Sequence, residues 1–292
     1  MKVPKQIKTL IEDGLVDEVL RQMMSGKEAT IYIVRCGDKI RCAKVYKDAS
    51  QRSFKKAVQY REGRSVRNTR RGRAMEKGSK FGKKEQEEVW QNAEVDALYL
   101  LADAGVRVPK PYGCFDGVLL MELITDANGA VAPRLNDVAM PPEQARKDHA
   151  TVMKEIIRML CAGIVHGDLS EFNVLVDGNG PVIIDLPQAV NAAGNNNAQR
   201  MLARDVNNMT AYYGRFASDL LGSKHAKEIW AHYEAGTLSP ETKLTGLFRE
   251  STKPADVEGV LREVEFAAKE NEERLHRIRV RELLAKAQER QK

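Results

Sequence analysis

Apolar positions change their spacing several times along the chain, and each change marks an element. Ile7, Leu10, Ile11 and Leu15 fall at helical intervals, so residues 5–15 predict a short amphipathic helix. From Val16 to Met24 the pattern becomes that of a first strand. Ser25-Gly26-Lys27-Glu28-Ala29 interrupts it, and Thr30-Ile31-Tyr32-Ile33-Val34 predicts a second strand. Gly37-Asp38 is a hairpin signal, followed by a third strand from Ile40 to Tyr46. A helical period then runs from Glu85 to Asp103 through Val89, Trp90, Ala93, Ala97, Leu98 and Leu101, and Gly105 stops it. After an extended stretch from Val106 to Pro111, Tyr112–Phe115 and Val118–Glu122 predict a hairpin about Asp116-Gly117.

The second half is mostly helical. Residues 142–162, opened by prolines, place Ala145, Val152, Met153, Ile156, Ile157 and Leu160 on one face. His149 on this helix reads as a surface or internally satisfied histidine rather than a ligand. Val174-Leu175-Val176 and Val182-Ile183-Ile184 predict a short hairpin around Asp177-Gly178-Asn179-Gly180. An Asn-rich loop at 191–199 leads to a helix over 198–221, with Met201, Leu202, Val206, Met209, Tyr212 and Tyr213 inward. The remainder reads as helical, ending in a charged helix from about residue 257 to 292.

Composition alters this picture in two places. A chain of 292 residues can form one two-lobed domain or two small ones, and 42% hydrophobic with 30% charged residues is globular. The longest apolar run, Val118 to Ile124, is too short to cross a bilayer, and no signal peptide follows Lys2 and Lys5. The expected setting is cytoplasmic, with no membrane. Cys36, Cys42, Cys114 and Cys161 form no paired motif and are expected to be buried free thiols. The net charge of +6 is uneven: residues 47–84 carry 14 Lys/Arg against 3 Asp/Glu. This segment reads as a long mobile loop, either a solvated insert or a surface for an acidic partner such as RNA or a ribosomal surface.

Candidate chemistry centres on Ile164-Val165-His166-Gly167-Asp168-Leu169-Ser170-Glu171-Phe172-Asn173-Val174-Leu175, a polar loop between apolar segments. Asp168 and Asn173 match the H-x-D-x-x-x-x-N loop of protein kinases, in which the Asp takes the acceptor proton and the Asn holds a metal. Twelve residues on, an apolar run delivers Asp185, a second metal-binding carboxylate in that scheme. Oxygen ligands of this kind suit a hard cation carrying a nucleotide. Lys44, between Ala43 and Val45, is costly to bury unpaired. It is either an outward-facing surface lysine or the partner of nucleotide phosphates and a helix glutamate. Glu94 is the first choice for that glutamate, with Glu87 and Glu88 as fallbacks. The turn at 25–29 is either a plain hairpin or a loop whose amides face phosphate. Backbone groups of Glu122 and Leu123 are expected near an adenine.

The wording of three stretches is more specific than their spacing. Ser25-Gly26-Lys27-Glu28-Ala29-Thr30-Ile31-Tyr32, His166-Gly167-Asp168-Leu169-Ser170-Glu171-Phe172-Asn173 and Ile183-Ile184-Asp185-Leu186-Pro187-Gln188-Ala189 closely resemble the RIO family of atypical serine/threonine kinases. The resemblance covers roughly residues 5–220, including Ala104–Pro111 and Ala132-Pro133-Arg134-Leu135, and points to the subfamily without an N-terminal winged helix. It implies an α+β, two-lobed kinase-like fold of a trimmed type. That fold has an antiparallel sheet plus a helix in the N-lobe (1–123) and a mainly helical C-lobe (124–253), followed here by a charged helix (254–292). It implies ATP with Mg²⁺ or Mn²⁺. Carried over by position, Ser25, Gly26 and Lys27 meet phosphates, and Lys44 pairs with Glu94. Asp168 is the base, Asn173 and Asp185 bind metal, and Met121, Glu122, Leu123 and Ile184 contact the nucleotide.

In that family the residue matching Asp185 can itself become phosphorylated, so ATPase activity stands beside protein phosphorylation. The chain departs from the family in reading Ile-Asp-Leu-Pro-Gln-Ala at 184–189 and Gly194-Asn195-Asn196-Asn197 in the loop after it. The resemblance is not traced beyond about residue 220. Two other readings compete: a nucleotide-switched RNA- or ribosome-binding module, and a small-molecule phosphotransferase of the aminoglycoside or choline kinase kind.

Overall fold

In the computed structural model, residues 3–26, 28–47 and 93–249 are described. Most of the basic segment 47–84, the start of the helix expected from 85, Lys27 and the helix expected over 254–292 lie outside them. Residues Met1–Phe248 form one compact unit.

The unit begins with α1 (Lys5–Glu12), β1 (Glu18–Ser25), β2 (Ala29–Cys36) and β3 (Lys39–Tyr46). Residues 93–103 are helical and are called α2. Then come β4 (Pro111–Phe115) and β5 (Val118–Glu122). These strands form one antiparallel sheet in the order β1-β2-β3-β5-β4. The β4–β5 turn has Asp116 at φ 46° and Gly117 at φ 76°, the pair of positive angles that a two-residue hairpin of this hand demands. β1 is mostly exposed and its pairing with β2 shifts twice, after Val19 and after Gln22, as suits an edge strand.

Alternation along the strands sorts the side chains. Ala43, Val45, Val118 and Leu120 pack with Ile7 and Leu10 of α1 and with Tyr32 and Val34. The opposite parity, Tyr46 and Leu119, packs with Val95, Leu98 and Leu101 of α2. Lys44 has this second parity, so the pleat that buries Ala43 and Val45 under α1 turns Lys44 toward α2.

The C-lobe contains α3 (Pro142–Cys161), β6 (Ile164–Val165), β7 (Val174–Asp177), β8 (Gly180–Ile183) and β9 (Val190–Asn191). It closes with α4 (Ala198–Gly214) and α5 (His225–Glu234). The strands pair as β6–β9 and β7–β8, both antiparallel. Met153, Ile156, Ile157 and Leu160 of α3 join Met201, Leu202, Val206 and Met209 of α4 in the main core. Arg107 fastens the lobes' connection: its Nε donates to Pro181 O at 2.9 Å and its guanidinium pairs with Asp177 at 2.7 Å, while Ile183 N donates to Arg107 O at 2.8 Å.

Several expectations change. The helix expected over 198–221 ends at Gly214, because Leu221 folds back so closely that a Cβ there would meet its Cδ2 at 2.3 Å. Beyond it, among the described residues, only a short 3-10 turn (Ser218–Leu220) and α5 are helical. The chain after α5 is held irregular by Glu228, whose carboxylate accepts Thr245 N at 2.8 Å and Gly246 N at 2.9 Å. All four cysteines are free, but only Cys42 is buried; Cys114 and Cys161 are exposed, because β4 is an edge strand and Cys161 closes a helix. His149 is internally satisfied: it is buried and bonds Thr210 Oγ1 at 3.0 Å.

Candidate active site

The lysine on β3 is the hub of the site. Lys44 is 8% exposed, and its Nζ donates to Glu94 Oε1 at 2.5 Å and to Asp185 Oδ1 at 2.9 Å. Tyr46, two residues along the same strand face, donates its hydroxyl to Glu94 Oε2 at 2.8 Å. Of the three candidate glutamates, Glu94 makes the contact; Glu87 and Glu88 lie outside the described residues. Burial alone pushes the Lys44 ammonium toward deprotonation, but Glu94 and Asp185 reverse that and hold it well above an ordinary lysine. Partial burial likewise favours the neutral form of Asp185. The Lys44 charge and hydrogen bond outweigh it, helped by His166 and Arg134, so this carboxylate titrates below its ordinary range. The Tyr46 phenol is pushed up, first by burial and then by the adjacent Glu94.

Register positions the metal candidates. Val174 pairs with Ile183 and Ile184 N donates to Asn173 O at 3.0 Å, so the base of the β7–β8 hairpin carries Asn173 on one strand and Asp185 just past the other. Asn173 Nδ2 donates to Asp168 O at 2.9 Å, which commits its nitrogen to the loop and leaves its carbonyl oxygen as the candidate ligand atom. Asp185 has φ 66°, a left-handed angle uncommon for a residue with a side chain. Strain of this kind is held at sites where the side chain's aim matters. An amide oxygen beside a carboxylate fits a hard divalent cation. Among the described residues no group of three or more His, Cys, Asp and Glu side chains is placed to hold a metal.

Asp168 has a half-open side chain, 52% exposed. Gln188 Nε2 donates to its Oδ2 at 3.1 Å, and an Arg204 nitrogen lies 3.9 Å from its Oδ1. The loop beneath it is locked from two sides. Asp168 N donates to His166 Nδ1 at 3.3 Å, so the imidazole proton is on Nε2 and points to Ile184 O at 3.1 Å. Asp205 of α4 accepts Gly167 N at 2.8 Å and Leu169 N at 3.0 Å. Asp205 is 1% exposed; burial pushes it up to about 6 against the pull of His166 and the two amides.

The phosphate-loop candidates form a tight turn. Gly26 N donates to Ala29 O at 2.9 Å, and Ser25 Oγ meets Thr30 Oγ1 at 3.2 Å. Lys47, at the end of β3, donates to Ser25 Oγ at 3.0 Å and to Gly26 O at 2.6 Å. Lys27 lies outside the described residues. On the far side, Met121 pairs with Cys42 and Glu122 with Arg41. Glu122 N donates to Lys110 O at 2.8 Å, and Leu123 begins the passage to the C-lobe.

Sequence reasoning missed Asp205, Arg204, Gln188 and Lys47. Asp205 had a signal, since 201, 202, 205, 206 and 209 form one stripe on α4 and Asp205 is the charged member of that buried face. Gln188 and Lys47 had none beyond their motifs.

Comparison with known proteins agrees with this geometry. The RIO domain family matches residues 30–227. The RIO-type serine/threonine-protein kinase Rio1 of Haloferax volcanii is 32% identical over 215 residues, covering 73% of this chain and 69% of that protein. Serine/threonine-protein kinase RIO1 of Chaetomium thermophilum is 28% identical over 232 residues, 75% of this chain and 43% of that protein. The human protein of the same name is 30% identical over 208 residues, 70% and 35% respectively. The chain thus spans less than half of these two longer relatives.

Proposed function

The chain belongs to the RIO family of atypical kinases, and from that premise we propose that it is an ATP-dependent serine/threonine protein kinase with autophosphorylation and ATPase activity. The observation that carries the reading is the bridge from Lys44 to both Glu94 and Asp185, which ties β3, α2 and the segment after β8 into one phosphate-binding unit. In this reading Lys44, Ser25, Gly26 and Lys27 hold the phosphates. Met121, Glu122, Leu123 and Ile184 border the base and sugar. Asp168 orients the acceptor hydroxyl and takes its proton. Asn173 and Asp185 hold Mg²⁺, or Mn²⁺, which would neutralise phosphate charge. The transfer asks mainly for alignment and electrostatic stabilisation, and the loop locked by Asp205 and His166 supplies rigid alignment.

The family assignment and the loop wording give the small-molecule phosphotransferase reading no support. A role for residues 47–84 in binding RNA or a ribosomal surface rests on their sequence charge, and most of them lie outside the described residues. Free cysteines accord with a cytoplasmic setting, and among the described residues no helix is long and apolar enough to cross a membrane.

The test is to incubate the protein alone with Mg²⁺ and γ-labelled ATP and to challenge the label with acid and hydroxylamine. An acid-stable label lost in Asp168→Asn marks hydroxyl-directed kinase activity. A hydroxylamine-sensitive label lost in Asp185→Ala marks an aspartyl phosphate and an ATPase-like cycle. Phosphoryl transfer undiminished in Asp168→Asn refutes the assignment of the base.

A further inference from the structure

The loop from Asp168 to Asn173 reads Asp-Leu-Ser-Glu-Phe-Asn and contains no cation. A phosphoryl group in transfer spreads negative charge over its equatorial oxygens, and a cation fixed beside the base stabilises it. Lys44 is already engaged by two carboxylates at 2.5 and 2.9 Å. Among the described residues, the cation paired with the base comes instead from α4. Arg204 donates to Gly167 O, immediately before Asp168, and the same terminal nitrogen lies 3.9 Å from Asp168 Oδ1. Its side chain is 42% exposed, so the guanidinium is at the surface of the site.

The placement is rigid. Asp205, the next residue, accepts two amides of the loop, and Asn208, one turn further on, donates to Leu169 O at 3.0 Å. Gln188 meets the other oxygen of Asp168, so the carboxylate has an amide on one side and a guanidinium on the other.

We propose that Arg204 is the cation that meets the transferring phosphoryl group at Asp168; this rests on the kinase reading above. The acceptor oxygen bonds to the γ-phosphorus as the bond to the β,γ-bridging oxygen breaks. The acceptor proton passes to Asp168 and the departing electron pair to the nucleoside diphosphate. Arg204 changes no bond: it donates hydrogen bonds to phosphoryl oxygens from the position in which it now faces Asp168.

Two readouts test this on the full chain. Single-turnover transfer from γ-labelled ATP should fall roughly 10²-fold in Arg204→Gln. It should recover in part in Arg204→Lys, and in Arg204→Ala when guanidinium ion is added. The preference for a non-hydrolysable ATP analogue over ADP, both with Mg²⁺, should narrow by about tenfold in Arg204→Gln, the size of one charge-assisted hydrogen bond, with ADP affinity unchanged. An unaltered analogue-to-ADP ratio overturns the proposal. So does an equal loss for both nucleotides together with a lowered melting temperature, the signature of a structural role. Should Arg204→Gln not fold, the ratio in Arg204→Lys decides by the same criterion. Should the unmodified protein transfer no phosphate, the kinase reading fails, while the binding ratio still judges Arg204 by itself.

Discussion

Replacing Lys44 by Met removes the cation from a pocket in which Glu94 is 4% exposed and its second oxygen already accepts the Tyr46 hydroxyl. Breaking a buried pair from one side leaves a desolvated charge and costs about 3–5 kcal/mol. Asp185 also loses its partner, but its side chain is 44% exposed and water covers much of that loss. For a unit of this size the deficit corresponds to a fall in melting temperature of roughly 6–20 °C. Glu94→Gln alone should cost less, because the lysine keeps Asp185. The double variant Lys44→Met/Glu94→Gln should be more stable than Lys44→Met, since no unpaired carboxylate remains. Urea unfolding of the four proteins closes a double-mutant cycle, with an expected coupling of about 2–3 kcal/mol. Single effects that add within about 0.5 kcal/mol would refute the reasoning.

Other expectations follow from the same geometry. Asp168→Asn should bind MgATP as the unmodified protein does and lose phosphoryl transfer by about 10³-fold or more, read by equilibrium binding and single turnover in parallel. Asp205→Ala strips the buried Gly167 and Leu169 amides of their acceptor and should cost about 2–5 kcal/mol in unfolding free energy, with a larger loss in turnover rate than in ATP affinity. His149 is pushed down to about 4, first by burial and then by the charge of His225. Its unfolded value is higher, so this contribution to stability is complete above about pH 6.5 and declines as pH falls toward 4, by about 3 kcal/mol in total. His149→Asn should flatten that acid limb in urea titrations, and an unchanged limb would assign it to other groups.

The contact between Lys44 and Glu94 was more legible in the sequence than the boundaries of the helices. Lys44 was half legible: a lysine between apolar neighbours on a strand is costly to bury unpaired, which left a paired, buried cation and an outward-facing lysine as the two readings, and the structure has the pair. The β7–β8 hairpin was legible because an Asp-Gly-Asn-Gly turn between two β-branched runs fixes its register, and that register brings Asn173 level with Ile184. The end of α4 was not legible. Gly214 gives way to Leu221 through a packing contact seven residues away, which periodicity cannot express. The same holds for the stretch after α5, where one carboxylate, Glu228, captures backbone amides that a helix would have used internally. The exposure of Cys114 and Cys161 depends on which strand is an edge and where a helix closes, neither of which is set by their apolar neighbours. The left-handed angle of Asp185 is likewise a tertiary result. Nothing in Ile-Ile-Asp-Leu announces it, and it follows from joining a hairpin strand to a segment that must turn the carboxylate toward β3.

The bond between Lys44 and Asp185 makes the protein its own counter-ion. In the proposed site the carboxylate assigned to the metal carries a resident ammonium, so an arriving divalent ion would have to outcompete a charge that cannot diffuse away. A bare cation gains little by that exchange. A cation arriving with a nucleotide gains more, because the phosphates bring ligands of their own and offer the ammonium somewhere else to go. Metal and nucleotide should therefore enter as a complex, with neither saturating the site by itself, and metal affinity should climb with the number of phosphates offered. The lysine thus acts as a turnstile, turning for the loaded pair and resisting either half alone.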